Sequence, residues 1–249
     1  MGDFHIIEQA AFDAWPSDHQ VEINGWLLRL DRGYTKRANS LNATAYSRPM
    51  TSTDFRAIET QFRTRGLPPV VRLTSISPEA HADHMLAVLG YDVRDPSIVM
   101  TRSLSGQYHA DPATSLTPDV DDWLHEFAGV TGQTSADARR HGVILRRIKH
   151  PRMGARLHAS GAPASCGLGV TVGQYLGIFD VATRADCRQR GFARRVCETV
   201  MSWGAQAGAT TAFLQVAADN QAAIRLYRSL GFEIAYHYWY RIAQPERAA

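Results

Sequence analysis

The loop Arg188-Gln189-Arg190-Gly191-Phe192-Ala193 limits what this chain can fold into more than any other stretch. Ahead of it, Leu176 to Thr183 reads as a short, mostly buried strand. Behind it, Ala193, Val196, Cys197, Val200 and Met201 recur at helical spacing. The loop therefore joins a strand to a helix. At such a junction several backbone N–H groups are unpaired and the helix dipole adds partial positive charge, so a phosphate can be held without any side chain. Gly191 removes the side chain where the backbone must come closest, and Ala193 keeps the first turn narrow.

Glycine loops of this kind occur in many folds, and surface turns supply glycines as well. The following residues narrow the choice. Thr211 to Val216 alternates like a strand, and Asp219-Asn220 then opens a helix that Leu230-Gly231-Phe232 closes. At this point the sequence resembles the GNAT superfamily, the Gcn5-related N-acetyltransferases. Its pattern Arg/Gln-x-x-Gly-x-Gly/Ala is met by Arg188, Gly191 and Ala193. Its later pattern Asn, Ala-x-x-Leu-Tyr, Leu-Gly-Phe is met by Asn220, Ala223, Leu226, Tyr227 and Leu230 to Phe232. Both motifs stand in family order, and the resemblance covers the chain from about residue 119 onward.

The resemblance implies an α/β fold whose central, mostly antiparallel sheet is splayed and flanked by helices. It also implies acetyl-CoA as acyl donor, with an amine attacking the thioester directly. The implied cofactor-binding residues are Asp180, Val181, Ala182 and Thr183 along the strand, Arg188, Gln189, Arg190, Gly191, Phe192, Ala193 and Arg194 at the loop, and Asn220 and Tyr227 on the later helix. In the family, a tyrosine at the place of Tyr227 lies near the sulfur and can protonate the departing thiolate. Tyr227 follows Asn220 by two helical turns, which puts both on one face. Read alone, the tyrosine could equally be half-buried packing and Asn220 a helix cap.

A neutral attacking amine calls for a general base. Some relatives carry a glutamate on the strand before the second motif, but this chain has Gln215 there, which cannot take a proton. Asp180 is the nearest carboxylate in sequence, with Glu233 and His237 as further candidates. The expected acceptor is a small-molecule amine, such as an amino acid derivative or an amine-bearing antibiotic. The alternatives are a protein or aminoacyl-tRNA acceptor, and a non-catalytic acyl-CoA sensor. The length of the acyl group and a homodimeric state are left open.

The first half carries its own signals. A helix is expected from Ile6 to Trp15, strands on either side of the Asn24-Gly25 turn, a third strand near Arg37 to Thr44, a helix from Thr53 to Arg65 and a strand from Val70 to Thr74. A helix from Pro78 to Val88 and a strand from Ser97 to Thr101 follow. Leu89-Gly90-Tyr91 echoes Leu230-Gly231-Phe232 at an offset of 141 residues (231 less 90), which suggests a degenerate copy of the same fold. The expected organisation is therefore a GNAT-like domain at 1–104, a linker at 105–117 and a catalytic domain at 118–249. At the same offset Gly191 falls on Met50 and Tyr227 on Leu86, so only the second half is expected to take a cofactor.

Arg184, Arg188, Arg190, Arg194 and Arg195 crowd the loop against one acid, Asp186, and suit the phosphates of coenzyme A; not all of them can face one ligand. Other runs read more simply. Gly167-Leu168-Gly169 is not followed by a helix and fits a hairpin better than a dinucleotide site. Asp119, Asp121 and Asp122 are acids that a first helical turn favours, and His81 with His84 lacks a third ligand, so no metal is expected. Cys166, Cys187 and Cys197 form no zinc pattern. A net charge of +3 is too small to argue for a nucleic-acid partner, so none is expected, and with no 18-residue apolar run and no leader-like start the chain reads as cytoplasmic.

Overall fold

The computed structural model of the chain describes residues 4–77, 80–106 and 110–244. The helices are α1 (Phe4–Ala14), α2 (Ser52–Arg63), α3 (Ala80–Val88), α4 (Val120–Thr131), α5 (Ser135–Arg147), α6 (Phe192–Gln206) and α7 (Gln221–Ser229). The strands are β1 (His19–Ile23), β2 (Trp26–Leu30), β3 (Ser40–Asn42), β4 (Val70–Thr74), β5 (Tyr91–Ser103), β6 (Thr114–Thr117), β7 (Arg152–Ala159), β8 (Ala162–Val172), β9 (Tyr175–Thr183), β10 (Thr211–Ala217) and β11 (Glu233–Ala243). They form one sheet in the order β1-β2-β3-β4-β11-β5-β10-β9-β8-β7-β6. Among the described residues only β3 with β4 and β9 with β10 run parallel. The result is an α/β fold with a large, mostly antiparallel sheet flanked by helices.

Local chemistry explains several elements. Asn24 and Gly25 both sit at positive φ, 51° and 79°, which a tight hairpin with the right twist requires, and they set β1 against β2. Strand β8 alternates strictly. Cys166, Leu168 and Val170 are buried toward α4 and α1, while Gly167 and Gly169 face α6. A Cβ on Gly167 would stand 2.8 Å from Val196 Cγ1, and one on Gly169 2.8 Å from Val200 Cγ1. These glycines therefore let α6 lie close on the sheet.

The run β1-β2-β3-α2-β4-α3-β5 has the same order as β7-β8-β9-α6-β10-α7-β11. Val70 and Thr211, which begin β4 and β10, are 141 residues apart, 211 less 70. Each run, however, gives up its last strand. Strand β5 lies between β10 and β11, and β11 lies between β4 and β5. Helix α1 also crosses over: Ile7, Ala10, Ala11 and Ala14 pack in one core with Leu168 and Phe179. The segments on either side of the boundary expected at 104/105 thus interleave in one sheet and one core.

Three expectations need adjustment. Lys36–Ala38 is a 3-10 turn, and β3 is only Ser40–Asn42. The cause is Asn39, whose side chain accepts from the N–H of Asp31 and Gly33 and donates to Thr35 O, folding the segment into a loop. Strand β5 is far longer than expected because β10 and β11 pair along its two sides. The end of the expected linker is β6, paired with β7 from Thr114↔Leu157 to Thr117↔Gly154. The expected helix start at Pro78 and residues 107–109 of the linker lie outside the described residues.

Candidate active site

Strands β9 and β10 pair from Tyr175↔Thr211 to Ile178↔Leu214 and then part. On the other side of β9 the register with β8 shifts between Phe179 and Ala182, and Asp180 sits at φ 52°. Beyond Ile178 the backbone of β9 on the β10 side has no strand partner among the described residues, so it can pair with an extended ligand arm. A cavity of about 270 Å³ opens between the parted strands, bordered by Asp180, Val181, Gln215, Asn220, Tyr227 and Arg37.

The loop leading to α6 carries a second left-handed pair, Gln189 at φ 61° and Gly191 at 76°. Helix α6 has no side-chain cap, and its first turn holds no acid. The N–H groups of 189–191 donate to no backbone acceptor among the described residues. A Cβ built on Gly191 meets nothing within 4 Å, so the ground above it is open. An uncapped helix start beneath a curl of free N–H groups fits a pyrophosphate. Of the five arginines, three are engaged elsewhere: Arg184 with Asp186, Arg194 with Glu198 and Ser229, and Arg195 with Asp111. Arg190 is exposed, and among the described residues the Arg188 side chain makes one hydrogen bond, to Thr183 O at 3.4 Å. Those two remain available to a phosphate. Phe192 and Ala193 begin the helix, and Arg194 is turned toward α7.

Helix α2, at the matching place in the first half, is built the other way. Thr51 and Asp54 form a reciprocal capping box, with Thr51 Oγ1 receiving the Asp54 N–H and the Asp54 carboxylate receiving the Thr51 N–H. The hydrogen bonds from Thr51 hold the Asp54 carboxyl below its ordinary range. Its first turn is therefore occupied and negatively charged.

Asn220 caps α7 by accepting the Ala223 N–H at 3.1 Å. Two turns on, Tyr227 is 7% exposed and borders the cavity. Burial, with Cys197 nearby, pushes its hydroxyl well above the ordinary value, so the group holds its proton at any physiological pH.

Asp180 is the one base candidate that borders the cavity. Glu233 and His237 are exposed on β11, and neither lines it. Asp180 has a partner that sequence reasoning missed. His141 of α5, fully buried, brings Nε2 to 2.9 Å from Asp180 Oδ2. The contact is close but not aligned as a hydrogen bond. The ring is held by stacking on Tyr34 at 4.8 Å and by the edge of Phe127 at 5.1 Å. Burial and the charge of Asp180 push the Tyr34 hydroxyl up to about 12. The available signal was a histidine on the apolar face that Ile144 and Leu145 continue.

The family model described as "Probable histone acetyltransferase Rv0428c C-terminal" matches residues 2–242. The chain belongs to this family of the GNAT superfamily. It is 27% identical to "Uncharacterized N-acetyltransferase YobR" of Bacillus subtilis, across 97% of this chain and 99% of that one. It is 26% identical to "Probable histone acetyltransferase Rv0428c" of Mycobacterium tuberculosis, across 96% and 73%. Among solved structures, a GCN5-related N-acetyltransferase from Kribbella flavida shares the fold with TM-score 0.73 at 15% identity, covering 98% and 97%. A tandem GNAT protein from the clavulanic acid biosynthesis pathway does so with TM-score 0.61 at 14%, covering 97% and 89%.

In this GNAT protein a second cavity, of about 260 Å³, adjoins the first across Gln215, Val216 and Ala217. Its walls come from both ends of the chain: Lys36, Arg37 and Asp95 from the first half, Tyr238 and Tyr240 from β11. Tyr238 Oη donates to Gln215 Oε1 at 3.3 Å. Among the described residues no helix is long and apolar enough to cross a membrane, and no cluster of three candidate ligands is placed to hold a metal.

Proposed function

We propose that this protein transfers the acetyl group of acetyl-CoA to a primary amine of a small molecule. The observation that carries the reading is the cavity between the parted β9 and β10, with Tyr227 and Asp180 on its walls and a second, open cavity beside it. In this reading the N–H groups of Gln189 to Ala193 hold the pyrophosphate of acetyl-CoA, helped by Arg188 and Arg190. The free backbone of Asp180 to Thr183 lies along the pantetheine and polarises the thioester carbonyl. The amine nitrogen bonds to the carbonyl carbon and the carbon–sulfur bond breaks. Asp180 takes a proton from the amine, directly or through water, and Tyr227 gives one to the thiolate. His141 supports Asp180 and does not meet the substrate.

We further infer that 1–104 and 118–249 are two copies of one unit, joined by 105–117, and that only the second binds acetyl-CoA. The shared element order and the occupied first turn of α2 support this. A protein amine is the second reading, favoured by the name of the mycobacterial relative. The deciding experiment is a screen of amines with the full chain, reading CoA-thiol release. Release that needs both acetyl-CoA and a small amine supports the first reading, and release only with a peptide lysine supports the second. Binding of acetyl-CoA without release from any acceptor would make the protein a non-catalytic acyl-CoA-binding module.

A further inference from the structure

Three guanidiniums gather where α1, β2, β4 and the turn at Lys36–Ala38 meet. Arg29 and Arg72 are 1% and 2% exposed, and with Arg37 they border a recess of about 10 Å³, roughly the room for one water. One carboxylate answers them. Glu8 is joined to both terminal nitrogens of Arg72 and also receives the Tyr236 hydroxyl. Among the described residues Arg29 is bonded to no acid: it donates to the carbonyls of Phe12, Trp15 and Arg37, and its Nε is buried without an acceptor. Burial, and then the charge of Arg72, lower Arg29 to about 10. Two buried positive charges thus have one directly bonded carboxylate between them among the described residues, with Asp13 acting on Arg29 only from a distance, a costly arrangement unless something else compensates.

Arg37 stands at the open side of this cluster. Its side chain makes no hydrogen bond or ion pair among the described residues. Instead, its guanidinium carbon lies 4.8 Å from the Trp15 ring and 5.6 Å from the Phe179 ring. The aromatic faces and the Arg29 bond to its carbonyl fix it in place. It also borders the donor cavity, the acceptor cavity and the small recess alike. Lys36, the other cation on the acceptor cavity, is already paired with Asp95 at 2.7 Å.

A fixed guanidinium with unused donors, backed by surplus positive charge, is a receptor for an anion. Its planar fork matches a carboxylate in two parallel hydrogen bonds. A phosphate dianion would ask for a second free cation at the acceptor cavity, where Lys36 is taken. We propose that the acceptor is an amine that also carries a carboxylate, and that Arg37 receives this carboxylate at the mouth shared by the two cavities. Anchored there, the acceptor can extend its amine toward Asp180. Arg29 is a positioning residue that locks the Arg37 carbonyl to the end of α1. The inference rests on the acetyltransferase reading above.

Matched pairs of acceptors test it: α-amino acids and diamino acids against their carboxamides, with acetyl-CoA, reading thiol release. The full chain should favour the carboxylate member in kcat/KM by about 10- to 100-fold, the range of a hydrogen bond to a charged group. Arg37→Gln should bring that ratio to within about two-fold through KM, and Arg37→Lys should keep part of it. Calorimetry with acetyl-CoA follows the donor side separately. Should Arg37→Gln be insoluble, the full-chain ratio and Arg37→Lys decide. Equal use of both members, or a preference that survives Arg37→Gln, would overturn the assignment while leaving acetyl transfer intact. No acetyl-CoA binding, or no thiol release with any amine, would overturn both.

Discussion

Nε2 of His141 stands 2.9 Å from Oδ2 of Asp180, and neither atom has a hydrogen-bond partner. A carboxylate this enclosed depends on its neighbour for compensation, so the two residues should act as a unit. Asp180→Asn should lower kcat by about 10²-fold or more if Asp180 is the base. His141→Ala should cost about 3 kcal/mol of stability, since it empties a fully buried site packed against Trp15, Tyr34 and Phe127. The double variant should lose at least ~1 kcal/mol less than the sum of the single ones. Urea unfolding of the four proteins measures this, and additive losses would show that the pair is only proximate.

Tyr227 offers a test in pH. Burial raises its value above the ordinary 10.0, so the folded protein keeps the phenolic proton where an unfolded chain has lost it. Loss of the acid should therefore not depress kcat through pH 10.0. Stability should fall as pH rises past that point, because the unfolded state then binds fewer protons. Tyr227→Phe should lower kcat by about 10²-fold with acetyl-CoA affinity little changed, and should soften the alkaline loss of stability. A kcat equal to that of the parent, measured where chemistry limits turnover, would reduce Tyr227 to packing.

The contrast between Gly191 and Thr51 leads to a stoichiometry. Calorimetry should count one acetyl-CoA per chain. Gly191→Glu should abolish binding, by bulk, by charge and by strain at φ 76°, while Arg188→Ala should only weaken it. Thr51→Ala should leave binding alone and cost about 1 kcal/mol, the usual loss of a cap. Two sites per chain would mean that α2 binds anions despite Asp54.

The parts of this fold that were legible in sequence are those set by near neighbours. Gly191 at a strand-to-helix junction, Asn220 capping the helix of Tyr227 and the Asn24-Gly25 hairpin each follow from a handful of adjacent residues. His141 was not legible as a partner of Asp180, because the two meet only when α5 packs over the bulge in β9. Arg37 carried no motif either; its meaning comes from three cavities that meet at one side chain. The exchange of β5 and β11 could not be read, since the pairing of Val99 with Tyr236 depends on distant strands whose local patterns would suit several neighbours.

That exchange has a consequence for the chain during its synthesis. Strands β4 and β5 emerge early but leave between them a gap that only β11 fills. Until residues 233–243 are made, the first half carries two open sheet edges, with β10 later able to cover only one side of β5. Each half thus contributes its last strand to a place beside a strand of the other. The second cavity, whose walls include Lys36 and Tyr238, is complete only once β11 is in place. A truncated or stalled chain would therefore be sticky as well as inactive.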